Sequence, residues 1–238
     1  MALPVINVPT YKLDIPSTEE SIKFRPFRVN EEKILLLALE MSEENPEAMM
    51  DAVKQIIENC TFGEIELKGL ALFDLEYIFL RIRAKSVGEI AKIKLLAEDD
   101  GETYVEVEIP LEEIKVHFDK THKNDIKLSD DIGVIMKYPQ YEDLDYTAAA
   151  GEAGVETAFK MIKNCVSSVY EGETVYERID FSDDDLDTFI NSLASEQFAK
   201  LQQFFMTMPK LRHEVKFKNP KTKKMNTVTL EGLASFFG

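Results

Sequence analysis

The sequence predicts an α+β protein: an N-terminal β-hairpin plus helices, a central antiparallel β-meander, and C-terminal helices with a final β-hairpin. Three observations predict it. Apolar residues recur at helical spacing from 30 to 87 and again from 152 to 208. From 88 to 138 they alternate with polar residues, as in half-buried strands. Short alternating runs broken by turn residues stand near both ends of the chain. These changes of period mark three consecutive segments, 1–87, 88–139 and 140–238. With 238 residues, 45% of them hydrophobic and 15 of them Phe, the chain has ample material for a core and is not a disordered polypeptide.

Residues 1–10 are punctuated by Pro and expected to be extended, pinned by Val5, Ile6 and Val8. Tyr11, Leu13 and Ile15 alternate with polar residues, as do Ile22 and Phe24 beyond Pro16-Ser17-Thr18, which reads as a hairpin ended by Pro26. Asn30 is the expected cap of a first helix, with Glu31 and Glu32 in its positive first turn. The run 34–39 in that helix is apolar nearly all round, so more than one face has to be covered. A second helix starts at Asn45-Pro46 and repeats Met49, Val53, Ile56 or Ile57, and Cys60. Asp74 is the expected cap of a third, carrying Leu75, Ile78, Phe79 and Ile82.

In the meander, Ala91, Ile93 and Leu95 face one way, and Val105, Val107 and Ile109 answer them across a tight Asp100-Gly101 turn. Further strands are expected at 114–118, 126–128 and 132–136. A helix over 152–168 buries Val155, Phe159, Ile162 and Val166, and 170–177 is a turn-rich link. Ser182 caps the next helix, with Asp185 three residues on and Phe181 stapling onto Leu186. The last helix starts near Ser195, carries Phe198, Leu201, Phe205 and Met208 on one face, and stops at Pro209. The final hairpin pairs 213–218 with 226–230 across Asn219-Pro220-Lys221-Thr222.

Charge narrows the function classes. The net charge is −16, which opposes a whole-surface affinity for nucleic acid or anionic membrane. Thirteen acids against Lys160, Lys163 and Arg178 give 140–187 a local charge of −10, whereas 210–224 carries +6. That basic stretch admits three readings: a solvated edge strand guarded by lysines, which is preferred; a surface that docks on acidic protein, including the chain's own acidic block; or a nucleic-acid contact. The longest apolar run is far short of a membrane span, and the N-terminal stretch lacks the pattern of an export signal. Cys60 and Cys165 have no CxxC neighbour and are expected to be reduced and buried, in a cytoplasmic product.

No catalytic motif survives inspection. An EF-hand loop beginning at Asp183 would need Gly at 188 and Glu at 194, where Thr188 and Ala194 stand; helix capping explains the aspartates. His213-Glu214 lacks the second His of a zincin, since Phe217 occupies its place. His117 and His122 have no third ligand at readable spacing. No nucleophile elbow or phosphate-binding Gly loop occurs, so the chain is read as a non-enzyme that needs no cofactor or metal.

Three stretches resemble the baseplate hub protein family of T-even-type contractile-tailed bacteriophages. They are Pro9-Thr10-Tyr11 with Ile15-Pro16-Ser17-Thr18 and Phe24-Arg25-Pro26-Phe27 running into Glu31-Glu32-Lys33-Ile34; the segment 74–89, beginning Asp74-Leu75-Glu76-Tyr77-Ile78-Phe79; and Phe205-Met206-Thr207-Met208-Pro209 with Leu230-Glu231-Gly232-Leu233 and Phe236-Phe237. The resemblance implies a late protein that helps to build the central hub as an assembly factor, a chaperone or a hub component. It would act in the host cytoplasm during assembly and in the virion tail baseplate. Some members carry cysteine pairs suggestive of a zinc ribbon in the C-terminal hairpin. Here 216–224 has no cysteine, so a metal is not carried over, and the turn has to hold by Pro and local hydrogen bonds.

The partners implied are other hub or tail proteins, with no nucleic acid and no membrane. Arg25, Phe27 and Arg28, leaving a hairpin for a helix, are candidate partner contacts because Arg and aromatics are frequent hot spots. Phe198, Phe205 and Met208 on the last helix and the terminal Phe236 and Phe237 are further candidates. The alternative is an acidic inhibitor or nucleic-acid mimic acting on a host enzyme, suggested by 140–187. A divalent-ion enzyme using 183–187 is a third reading.

Overall fold

The computed structural model describes residues 6–41, 45, 47–143 and 155–236. Contacts divide the chain into two compact units, one from Met1–His117 with Lys210–Gly238 and one from Phe118–Pro209. The units therefore interleave in sequence, where the sequence reading gives three consecutive segments. The class is α+β as expected.

The first unit opens with a hairpin of β1 (Tyr11–Asp14) and β2 (Ser21–Phe24). Helices α1 (Val29–Met41), α2 (Glu47–Cys60) and α3 (Leu72–Val87) follow. Val53, Ile56, Ile57 and Cys60 form the buried stripe of α2, as their spacing predicts. The centre of the unit is α3, whose Ile78, Phe79, Leu80 and Ile82 are at most 1% exposed. Each such side chain contributes roughly 1.5–3 kcal/mol of burial.

Polar groups of α3 tie down its neighbours. The Asp74 carboxylate accepts the Ser17 amide of the β1–β2 turn at 3.0 Å, and Ser86 Oγ accepts the Phe27 amide at 2.8 Å. Arg81 donates to the carbonyls of Leu111, at 2.7 Å, and Ile114. Glu76 Oε1 accepts the Leu233 amide at 3.0 Å, which holds the turn Leu233–Phe236. Two expected caps change roles here. Asp74 lies inside the first turn of α3, behind Ala71, and is spent on Ser17. In α1 it is Glu31, not Asn30, whose carboxylate takes an amide at the N-terminus, that of Arg28 at 2.7 Å.

Strands β3 (Ile90–Leu96) and β4 (Tyr104–Pro110) pair antiparallel, with Ala91, Ile93 and Leu95 buried. Their turn is longer than the two residues expected: Ala97 N bonds Thr103 O at 2.8 Å, and the Asp100 carboxylate gathers the Glu102 and Thr103 amides. β5 (Lys115–His117) does not continue this ladder. It joins β10 (Lys210–Lys218) and β11 (Met225–Glu231) in the order β11-β10-β5.

The second unit holds a four-stranded sheet, β6 (Asp125–Lys127), β7 (Ile132–Met136), β8 (Val166–Glu171) and β9 (Thr174–Glu177), in that order. Strands expected as one central meander are thus dealt among three sheets, because β5 and β7 each find a long-range partner with complementary alternation. The expected helix over 152–168 is α4 (Val155–Cys165), and Val166 passes directly into β8. The segment read as a turn-rich link is the β8–β9 hairpin, turned at Gly172 with φ of 59°.

Ser182 caps α5 (Asp183–Asn191) as predicted: its Oγ accepts the Asp185 amide at 3.2 Å while Asp185 takes the Ser182 amide at 2.9 Å. Helix α6 (Ser195–Thr207) completes the unit. Leu128, Val134 and Met136 from the sheet side pack with Ile162, Leu186, Ile190, Leu201 and Phe204 from the three helices. Gly133 leaves room for Tyr170: a Cβ there would fall 2.2 Å from the Tyr170 hydroxyl, and that side chain would have to shift. Both cysteines are free and buried, and burial pushes each thiol up to about 12.

Candidate docking surface

The titratable groups buried in the structure hold the fold together. Arg25, 9% exposed, grips Glu31 through two bonds of 3.0 and 3.1 Å and also donates to the Pro26 carbonyl. Burial opposes ionisation of Glu31, but Arg25 and the Arg28 amide outweigh it and hold the carboxyl below its ordinary range. His122 lies against Tyr138 and Phe204, with Nδ1 3.0 Å from Thr207 Oγ1, and burial lowers its pKa. Among the described residues no group of three His, Cys, Asp or Glu is placed to hold a metal ion. Likewise, no helix among them is long and apolar enough to cross a membrane.

The C-terminal hairpin is pinned by a carboxylate. Asp99 accepts the side-chain amides of Asn219 at 2.9 Å and Asn226 at 2.8 Å, together with the Thr222 hydroxyl. These donors, Thr222 foremost, hold Asp99 below the usual carboxylate range. Local bonds from the Lys221 and Thr222 amides to Asn219 Oδ1 complete the turn, and Lys221 meets Glu102 at 3.0 Å. Asp99 and Glu102 of the β3–β4 turn are thus acids that receive the basic hairpin. The solvated-edge reading fails at 210–212, where β5 and β11 flank β10, and holds for 213–218, where among the described residues β11 alone pairs with it.

The predicted contact residues fall into different settings. Arg25 is turned inward, as described. Phe27 is half-buried against Phe79, with ring centroids 5.9 Å apart, and Arg28 is exposed beside it. Phe198, Phe205 and Met208 are half-buried rims of the second unit's core, Phe198 stacked 4.5 Å from Phe159. Phe236 is 1% exposed, a core residue rather than a surface one, and Phe237 lies outside the described residues.

What the structure leaves open is α1. Only Glu31 and Ala38 of this helix are buried. It packs on α2, and the second covered face that its sequence calls for is missing among the described residues. Val29 is 80% exposed, while Leu36, Leu37 and Met41 are about half exposed. At the start of α1 lies a groove of about 580 Å³ lined by Ile6, Val8, Phe27, Arg28, Val29 and Val87. Ile6, expected to pin the N-terminal strand, is 83% exposed. Glu32 and Lys33 stand between Val29 at the groove and the apolar residues 34–37, so the exposed apolar residues of α1 form two neighbouring patches, a candidate contact surface.

A protein-family model described as T4 bacteriophage base plate protein matches residues 8–238. No curated protein and no solved structure matches the chain. The match takes in both units and runs through α1, the groove beside it and the pinned C-terminal hairpin. With nearly its whole length covered, the chain belongs to the T4 bacteriophage base plate protein family, phage tail proteins whose place is the baseplate.

Proposed function

We propose that this baseplate protein acts without catalysis in building the central hub, binding other hub or tail proteins as an assembly factor, chaperone or hub component. The observation that carries the reading is the uncovered apolar residues of α1. A helix that is apolar nearly all round and covered on one side needs a second cover, and burying the exposed half of Leu36, Leu37 and Met41 would gain roughly 1 kcal/mol each. Phe27 and Arg28 at the groove supply an aromatic and a guanidinium suited to anchoring a partner. The strong negative charge keeps such a surface soluble before it is covered. Engagement of Arg25, Glu31, Asp74 and His122 in structural contacts supports a non-enzymatic role.

Co-expression with the hub proteins of the same phage, followed by size-exclusion chromatography, tests the reading. A stable co-migrating complex that is lost in Leu36→Lys/Leu37→Lys is the expected result. Failure to co-migrate with any of them, together with normal baseplates in phage lacking the chain, would overturn it. Mass spectrometry of purified virions separates a permanent hub subunit, present stoichiometrically, from a transient chaperone.

A further inference from the structure

Among the described residues, the sheet of the second unit ends at β9 without a neighbour on its outer side. All four residues of β9 are exposed. The two-residue turn at Gly172-Glu173, with Gly in its first position at positive φ, makes Glu171 and Thr174 a hydrogen-bonded pair. By alternation, Val175 and Glu177 aim their main-chain groups away from β8. The Glu177 amide confirms the phase, since its partner is the Asp180 carboxylate at 2.8 Å, off the sheet. Val175, 51% exposed, therefore presents both its amide and its carbonyl to solvent.

Natural edge strands are guarded by shortness, by charge, by proline or by a bulge. β9, Thr-Val-Tyr-Glu, is short and ends on an acid, but it carries no lysine, proline or bulge, so its guard is a negative charge that a basic strand would not oppose. Beside it the core falls short of the edge, leaving an apolar hollow of about 270 Å³ lined by Ile132, Val169, Tyr176, Phe181, Leu186 and Phe189. Tyr176 pairs with Val169 on the face that carries this hollow, so an added strand would place alternate side chains over it. The surrounding charge selects among strands: from Glu171 to Asp187 there are eight acids against Arg178, which is itself paired with Asp183.

From the free edge, the hollow and the acidic frame together, we propose that β9 is a strand-addition site for an extended segment of another protein. That segment alternates lysine or arginine with aliphatic residues, the aliphatic ones filling the hollow. A second copy of this chain is the wrong occupant, because pairing β9 with β9 would bring two acidic frames together. The site lies in the second unit and is independent of what covers α1.

A short labelled peptide alternating lysine with valine serves as the probe, read by fluorescence anisotropy and amide hydrogen exchange on the full chain. Saturable binding with new protection of the Val175 amide is expected. The same peptide N-methylated on alternate residues, which keeps its charge and loses its ladder bonds, should not bind. Val175→Pro removes an amide that faces solvent, a position where strands tolerate proline. It should weaken binding about tenfold or more at unchanged melting temperature. Should that variant lose its fold, the N-methyl comparison on the natural chain decides. Absence of saturable binding, equal binding of the N-methylated peptide, undiminished binding by a folded Val175→Pro, or a dimer of the unliganded chain paired through β9 would each overturn the proposal.

Discussion

Helices α1 and α6 are both thirteen residues long and both rich in large apolar side chains, yet they end in opposite circumstances. In α6 the apolar residues are spaced so that one stripe can close on a core: Leu201 and Phe204 are at most 1% exposed, and Phe198 and Phe205 pack at the rim. In α1 they run consecutively from 34 to 37, so any orientation that buries one turns others outward. What is covered there is Ala38 and the carboxylate of Glu31, the latter only because Arg25 reaches it. Apolar content alone therefore does not decide whether a helix closes on a core. Spacing does.

The sharpest way to break this contrast is by truncation. Phe204→Ala is expected to destabilise the chain by about 3–5 kcal/mol, measured by denaturant unfolding, since the ring is fully enclosed. The sheet beneath that core gives the next effect. Gly133→Ala forces a methyl group into the Tyr170 ring and its hydroxyl, which bonds Asp125 at 2.8 Å, and should cost about 1–3 kcal/mol by the same measurement.

Asp74 sharpens the contrast from the other unit. Burial raises its carboxyl above the ordinary range against the pull of Ser17, and Oδ2 has no partner. A carboxyl whose folded-state pKa is raised contributes stability in full below its unfolded value, about 4, and that contribution is lost as pH rises through the folded value. Asp74→Asn keeps an acceptor for Ser17 and removes the charge. It should flatten the fall in stability above pH 4, checked by melting across that range. Last and smallest, Leu36→Lys should leave the isolated chain within about 0.5 kcal/mol of the natural one, as a surface change does. A loss of several kcal/mol there would mean that α1 is structural after all.

Much of the fold was legible. The stripe of α2, the alternation of β3 and β4 and the capping box of Ser182 and Asp185 are local signals that local physics honours. The apolar excess of α1 was legible as a helix needing a second cover. What escaped was long-range. Nothing in 115–117 announces that it will pair with 210–212, since the partner lies some ninety residues on. Arg25 reads as an exposed anchor until Glu31 is seen to claim it, and Asp74 reads as a local cap until Ser17 arrives. β8 and β9 were readable, with Val166, Val169, Val175 and Tyr176 flanking a Gly turn, but the helix pattern just before them drew the boundary too far.

The interleaving of the two units has a consequence for birth on the ribosome. Strand β5 and residues Glu76 and Asp99 of the first unit all wait for partners beyond position 210, while 118–209 has already emerged. At roughly 5–20 residues per second, that wait lasts about 5–20 s. The inserted unit can finish folding first, and the half-built host spends those seconds with its sheet short of two strands, the interval in which a nascent chain is most exposed to misassociation.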